Sequence, residues 1–235
     1  MIDKTEFAEA HKVGFCKVPA NLDKMLSFSF FGTGFTAPKT VDLRDYCTPT
    51  EDQGSKPWCA AYAAAQWAEN IRWRRDDLDP LKNNIDPTWI YQYAKTVDGD
   101  PDGDGTTLTA VLEALLSRGL FDRNLCKVRT IRASRDAVKY AIHKFGCVLG
   151  GFNVTDEWYD LNSHNTCVTG RSTDWQGGHA VLMCGFNPDG VIIQNSWGVS
   201  WGSYGFGLIS WKAFDDQFIY GGVLTNCLNG LSMNA

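Results

Sequence analysis

Ser55-Lys56-Pro57-Trp58-Cys59-Ala60-Ala61-Tyr62-Ala63-Ala64-Ala65-Gln66-Trp67-Ala68-Glu69-Asn70-Ile71 is the stretch from which the fold is read. Ala60, Ala64, Trp67 and Ile71 recur at helical spacing on one face, and Pro57 suits a first turn, where its missing N–H has no partner to lose. A helix starting here carries Cys59 in its first turn. Two more helices follow. One holds Leu108, Val111, Leu112, Leu115 and Leu116 and stops at Gly119 as a left-handed cap; the other runs from the cap Ser134 through Val138, Ala141, Ile142 and Phe145 to Gly146. Past Gly146 the period shortens, and runs at 147–152, 180–186, 191–194, 204–210 and 218–224 are short, glycine-punctuated and rich in β-formers. Helices first and strands after predict an α+β chain, a helical lobe over about 38–128 and a β lobe over about 129–235, with a cleft between them. Asn187-Pro188-Asp189-Gly190 reads as a turn joining two of the strands, so His179 and Asn195 are expected at one end of a single hairpin.

Composition bounds what such a chain does. Its 235 residues are 44% hydrophobic and 21% charged, enough to bury a core as one domain or two tightly packed lobes. Lys and Arg number 22 against 27 Asp and Glu, and no basic stripe is interleaved with aromatics, so nucleic acid is not an expected partner. No apolar run approaches the roughly 18 residues of a membrane span. Residues 1–11 are polar, with Asp3, Glu6 and Glu9, and do not read as a secretory leader. The expectation is a cytoplasmic monomer; secretion stays open for a chain whose leader has been removed. Eight cysteines are too few for a disulfide-built scaffold, though a few bridges fit. Residues 1–37 read as an extension holding a short amphipathic stretch and the run Phe28, Phe30, Phe31 and Phe35. These phenylalanines either lie along the cleft and restrain activity or pack elsewhere as a strand.

Three segments carry chemistry: Gln53 to Cys59, then Gly178-His179-Ala180-Val181, then Asn195-Ser196-Trp197-Gly198 followed by Trp201-Gly202. A thiol attacks a carbonyl as its thiolate, and both a helix N-terminus and a neighbouring imidazolium favour that anion. Cys59 has the first by position and gains the second from His179. An Asn195 carbonyl accepting from the far ring nitrogen orients the imidazole. Gln53, six residues before Cys59, can set its side-chain amide beside the Cys59 backbone N–H as an oxyanion hole. The two tryptophans can shield the His/Asn bond from water.

These segments resemble the papain-like cysteine peptidases, the family of papain and the cathepsins. Gln53 to Cys59 is similar to the family's oxyanion-glutamine and nucleophile segment, His179-Ala180-Val181 to its general-base segment, and Val41-Asp42-Leu43-Arg44 to the start of its mature enzymes. The block Asn195 to Gly198 with Trp201-Gly202 and Tyr204-Gly205-Phe206 is the most specific. The resemblance implies a two-lobed α+β fold with an antiparallel, barrel-like β lobe, and peptidase activity by internal cleavage, in a domain over 38–235. It implies catalytic roles for Cys59, His179, Asn195 and Gln53. It places substrate-binding positions at Gly105, Thr106, Thr107, Gly151, Gly178, Ala180 and Trp197. Lys56 stands where the family usually has a disulfide-bonded cysteine, so that bridge is absent, and Ala60 replaces the usual tryptophan. An extension of about 37 residues, shorter than the family's usual propeptide, is closer in style to compact bacterial or phage members.

Blander readings stand beside these. A single buried cysteine is ordinarily a small hydrophobe, and it is the company of His179 and Asn195 that argues otherwise. His11, His143 and His164 lack such company and are expected to be structural or exposed. The run Asp98, Asp100, Asp102, Asp104 fails an EF-hand frame, since its twelfth position falls on Val111 or Thr109, and reads as a solvated acidic loop with no nearby cation. No metal or other cofactor is expected, because no CxxC pair or Cys/His alternation occurs. The partner expected is a polypeptide substrate. Two alternatives remain: a peptidoglycan amidase or endopeptidase, which uses the same Cys-then-His order, and a non-catalytic binding module on the same fold.

Overall fold

The computed structural model describes residues 4–11, 13, 16–19, 36–77, 79, 82 and 84–227. Phe28, Phe30, Phe31 and Phe35, and with them the cleft-or-strand question, lie outside these. In chain order the helices are α1 (Lys4–Ala10), α2 (Cys59–Asp76), α3 (Pro87–Val97), α4 (Leu108–Ser117), α5 (Arg135–Phe145) and α6 (Trp211–Gln217). The strands are β1 (Cys16–Lys17), β2 (Val41–Asp42), β3 (Thr106–Thr107), β4 (Lys127–Ile131), β5 (Val148–Thr155), β6 (Cys167–Val168), β7 (Trp175–Phe186), β8 (Gly190–Gln194), β9 (Phe206–Ser210) and β10 (Phe218–Thr225).

α2 begins two residues later than Pro57 suggests: Trp58 is the N-cap and Cys59 the first helical residue, so the proline only precedes the helix. Every side chain from Cys59 to Ile71 is buried. A helix buried all round sits inside a fold, and six alanines in this one let β7 approach it closely. Caps close the other helices where the sequence says. Ser134 accepts from Ala137 N and Gly146 at φ +84° ends α5, while Gly119 at φ +71° follows α4. α3 and α6 are not anticipated by hydrophobic period. Their signals are local: Asp86 accepts from Thr88 N ahead of Pro87, and Ser210 accepts from Ala213 N.

Eight strands form one sheet in the order β4-β10-β5-β7-β8-β9-β6, with β2 on β7. The antiparallel expectation holds throughout this path except at β6, which runs parallel to β9. Among the described residues β4 and β6 end the order and do not pair with each other, so the sheet is open rather than a closed barrel. The turn at 187–190 forms as expected, with Asn187 Oδ1 accepting from Asp189 N and Gly190 N, and it joins β7 to β8. One apolar core runs through both halves, from Trp67 and Ile71 of α2 to Trp158, Phe152 and Val181 at the sheet. All eight cysteines are free.

α2 also buries a carboxyl. Glu69 is 5% exposed, its Oε1 accepts from Ile85 N at 2.7 Å, and burial pushes its pKa up to about 7. A raised carboxyl pKa means that its contribution to stability is complete below the ordinary value near 4.5 and is lost as pH climbs toward 7. Glu69→Gln keeps the acceptor and removes the titration. The variant is expected to match the parent at pH 4 and to exceed it at pH 8 by at most about 3 kcal/mol in urea unfolding. Parallel pH profiles for the two proteins would show that Glu69 does not titrate on folding.

Candidate active site

Cys59, His179, Asn195 and Gln53 come from four separate segments and are all buried. The hairpin β7–β8 brings His179 to Asn195: His179 Nε2 lies 2.8 Å from Asn195 Oδ1. The same Oδ1 accepts from Ser196 N at 2.8 Å, which marks it as a carbonyl oxygen and a pure acceptor. His179 Nε2 therefore carries the ring proton in the neutral imidazole, and Nδ1 keeps a bare lone pair. Nδ1 is buried and has no hydrogen-bond partner in the protein.

α2 supplies the thiol. The N–H of Ala180, the residue after His179, donates to the Cys59 sulfur, so the helix start and β7 meet at this point. Donation from Ala180, and from the backbone amides of Cys59 and Ala60 in the first turn, favours the thiolate, but burial outweighs it and pushes the thiol up to about 12. Burial likewise lowers His179 to about 4, against the Asn195 bond that favours its charged form. In this state the pair is neutral. A depressed histidine pKa makes its contribution to stability complete above the ordinary 6.5 and lost as pH falls toward 4, opposite in sign to Glu69.

Gln53 is held from both sides. Its N–H donates to Ser196 O at 2.9 Å, its Oε1 accepts from Ser196 Oγ at 2.6 Å, and its Nε2 donates to Lys56 O at 2.9 Å. Ser196 thus decides which end of the amide faces the helix start, a role that sequence reading missed although the residue sits inside the Asn195 block. Trp197 covers the imidazole, with ring centroids 4.5 Å apart. Trp201 does not reach the His/Asn bond. It stacks on Trp158, and it is Trp158, not anticipated, that meets His179 edge-on at 6.1 Å. A dry aromatic wall strengthens the bond it encloses.

The expected substrate-binding positions are brought together around an unexpected occupant, the chain's own N-terminal segment. β1 pairs with β3 in parallel, Cys16 opposite Thr106 and Lys17 opposite Thr107. Gly178 meets the Cys16 carbonyl so closely that any Cβ there would collide with it, and a Cβ on Gly151 would touch Cys16 Sγ. Tyr220 Oη donates to Lys17 O at 2.9 Å. Ala180 lies beneath, paired with Gly151, and Gly105 accepts from Lys95 Nζ through its carbonyl. Upstream, α1 covers Trp197: Phe7 lies 6.1 Å and His11 6.0 Å from its ring. His11 is structural, one of the two outcomes expected of it. It is 7% exposed, stacks on Phe7, and its Nε2 reaches Asp52 Oδ1 at 3.0 Å, next to Gln53.

The acidic loop needs a correction, for it is neither wholly solvated nor without cations. The Asp98 side chain is 1% exposed and accepts from Lys95 Nζ at 2.8 Å, three residues earlier on α3, and Asp100 pairs with Lys17 of the N-terminal segment. Lys4 similarly bridges Asp156 and Asp160 at 3.0 and 2.8 Å. A cavity of about 600 Å³ lies beside α1, between Lys4, Phe7, Tyr159 and Tyr204, and neither Cys59 nor His179 lines it. Among the described residues no group of three or more His, Cys, Asp or Glu is arranged to hold a metal ion, and no helix is long and apolar enough to cross a membrane.

The fold and part of the sequence have relatives among known proteins. Residues 121–217 match the family model described as papain family cysteine protease, a span that includes His179 and Asn195 and begins after Cys59. Cathepsin J of Mus musculus is 25% identical over 201 residues, covering 72% of this chain; the chain spans 59% of that relative's length. Xylellain, a cysteine protease from Xylella fastidiosa, superposes with a TM-score of 0.71 at 18% identity, over 92% of this chain and 96% of its own. Procathepsin B S9 from Trypanosoma congolense gives 0.67 at 16% identity, over 92% and 87%. The chain is papain-like in fold over most of its length, and its second half carries the sequence signature of papain-family cysteine proteases.

Proposed function

We propose that the chain is a cysteine peptidase acting through Cys59, His179, Asn195 and Gln53, with residues 4–11 and 16–17 covering its site. The observation that carries this is the His179–Asn195 bond, which leaves a bare imidazole nitrogen on the strand that packs against α2, the helix that Cys59 begins. In the reaction His179 Nδ1 takes the thiol proton as Cys59 Sγ bonds to the substrate carbonyl carbon. The oxyanion is held by Gln53 Nε2 and the Cys59 N–H, whose place in the first helical turn leaves it without an intrahelical acceptor. Collapse expels the amine, which receives the proton from His179. Water, deprotonated by the same nitrogen, then cleaves the thioester and restores the thiol.

Internal cleavage is favoured because the segment lies on both Trp197 and Gly178, as a polypeptide continuing past the scissile bond on each side does. Lys17 on Asp100 supports a preference for a basic residue at that rim, one that fades with salt. We read residues 38–235 as the peptidase unit, with the division between helical and β halves near 129, and free thiols throughout fit a reducing location such as cytoplasm. The deciding experiment removes residues 1–36, treats the remaining chain with an epoxysuccinyl thiol inhibitor and offers it casein and purified cell wall in parallel. Labelling of Cys59 with casein digestion is the expected result. Digestion of cell wall alone would move the reading to a peptidoglycan hydrolase, and an unlabelled but reduced Cys59 would move it to a binding module.

A further inference from the structure

Gln66 lies seven residues after Cys59 on α2, so two helical turns place both side chains on nearly the same face, about 10 Å apart along the axis. At the Cys59 end this face meets β7 through the Ala180 N–H. At the Gln66 end it meets the residue after β8: Gln66 Nε2 donates to the main-chain carbonyl of Asn195 at 3.1 Å, across 129 residues of sequence. Gln66 is 1% exposed, and its own Oε1 has no hydrogen-bond partner. A buried amide with one end unsatisfied packs worse than a methionine of similar volume, so stability alone does not account for it.

What the bond reaches is informative. Asn195 is fixed by its N–H to Gly205 O at 2.9 Å and by its side-chain oxygen to Ser196 N and His179 Nε2, whereas its Nδ2 has no partner. The Gln66 bond to its carbonyl ties this residue directly to the helix that bears the thiol. Sliding or rotating α2 relative to the hairpin breaks it. On the foundation of the peptidase reading above, we propose that Gln66 is a positioning residue: by holding the Asn195 carbonyl it sets the His179 imidazole against Cys59. It acts through Asn195 and touches no reacting atom.

The test compares full-length wild type with Gln66→Met and Gln66→Glu. Peptide turnover is measured, and exchange of the His179 Nε2 proton is followed by NMR, which reads the imidazole setting without requiring turnover. In Gln66→Met the expected result is a kcat about tenfold lower with KM within twofold, and faster exchange of the Nε2 proton at unchanged fold. Gln66→Glu faces one acceptor with another while ionised and regains a donor when protonated, so it should recover both readouts on acidification, a titration absent from wild type and Gln66→Met. If Gln66→Met folds with kcat and proton exchange within twofold of wild type, the proposal is overturned. Should Gln66→Met fail to fold, Gln66→Glu without recovery at low pH overturns it equally. A wild-type chain that cleaves no peptide even after residues 1–36 are removed defeats the peptidase reading instead, and the exchange measurement still decides the role of Gln66.

Discussion

Cys59→Ala is expected to reduce peptide turnover on the order of 10⁴-fold or more while the chain remains folded. The magnitude follows from what is removed: without the sulfur there is no acyl-enzyme, and only substrate binding and the oxyanion donors remain to act on water. The fold is expected to survive because α2 is already lined with alanine on every side, at 60, 61, 63, 64, 65 and 68, and the sulfur occupies one end of it. The thiol's bond from the Ala180 N–H is lost, a cost of about 1 kcal/mol. Turnover is measured with a fluorogenic peptide and folding by urea midpoint. Activity within tenfold of the parent would move the nucleophile elsewhere, and the seven other cysteines could then be tested in turn.

Much of this arrangement is legible in the sequence, for identifiable reasons. Cys59, His179 and Asn195 could be placed because each sits at a feature with a strong local signal: a helix start, a strand, and the far strand of a hairpin whose turn is written in Asn187 to Gly190. Gln53 was legible through the resemblance, but its tether to Ser196 was not, since a serine hydroxyl carries no sign of which carbonyl it will meet 143 residues away. The same holds for Gln66 and Trp158. Both look like ordinary core positions, and their roles lie in contacts that no periodicity encodes. α3 and α6 were missed because their cap signals, Asp86-Pro87 and Ser210, are short and border a helix of only eleven or seven residues. The surroundings of His11 were the least legible. In isolation it has no chemical company in the sequence; its partners Asp52 and Trp197 arrive only when the N-terminal segment folds back over the cleft.

Deleting residues 1–36 is expected to raise the rate of Cys59 alkylation by iodoacetamide at pH 7 at least about a hundredfold, and peptide turnover with it. The segment reaches the site at four anchor points: the β1–β3 pairing, Lys17 to Asp100 with Tyr220 to Lys17 O, His11 to Asp52, and Lys4 to Asp156 and Asp160. Three of these are ion pairs or histidine contacts with at least one exposed partner, each worth about 1 kcal/mol or less, so the cover is held by their sum and by burial of Phe7 and Cys16. Its chemical effect is larger than its binding. With the cover in place, burial holds the thiol near 12 and the imidazole near 4, so at pH 7 almost no thiolate forms and almost no imidazolium stands beside it. Water admitted to the site removes the desolvation of both. The thiol then falls toward or below its usual range, aided by the helix start, and the histidine rises. A thiol brought from about 12 to near 8.5 gains roughly three orders of magnitude in thiolate at neutral pH, which sets the scale of the expected increase. Alkylation mapped to Cys59 by peptide mass, with circular dichroism as the check on folding, reads the effect directly. A truncated chain that stays folded, and whose Cys59 is modified no faster than before, would show that the segment is a structural strap and that some other element keeps the pair neutral.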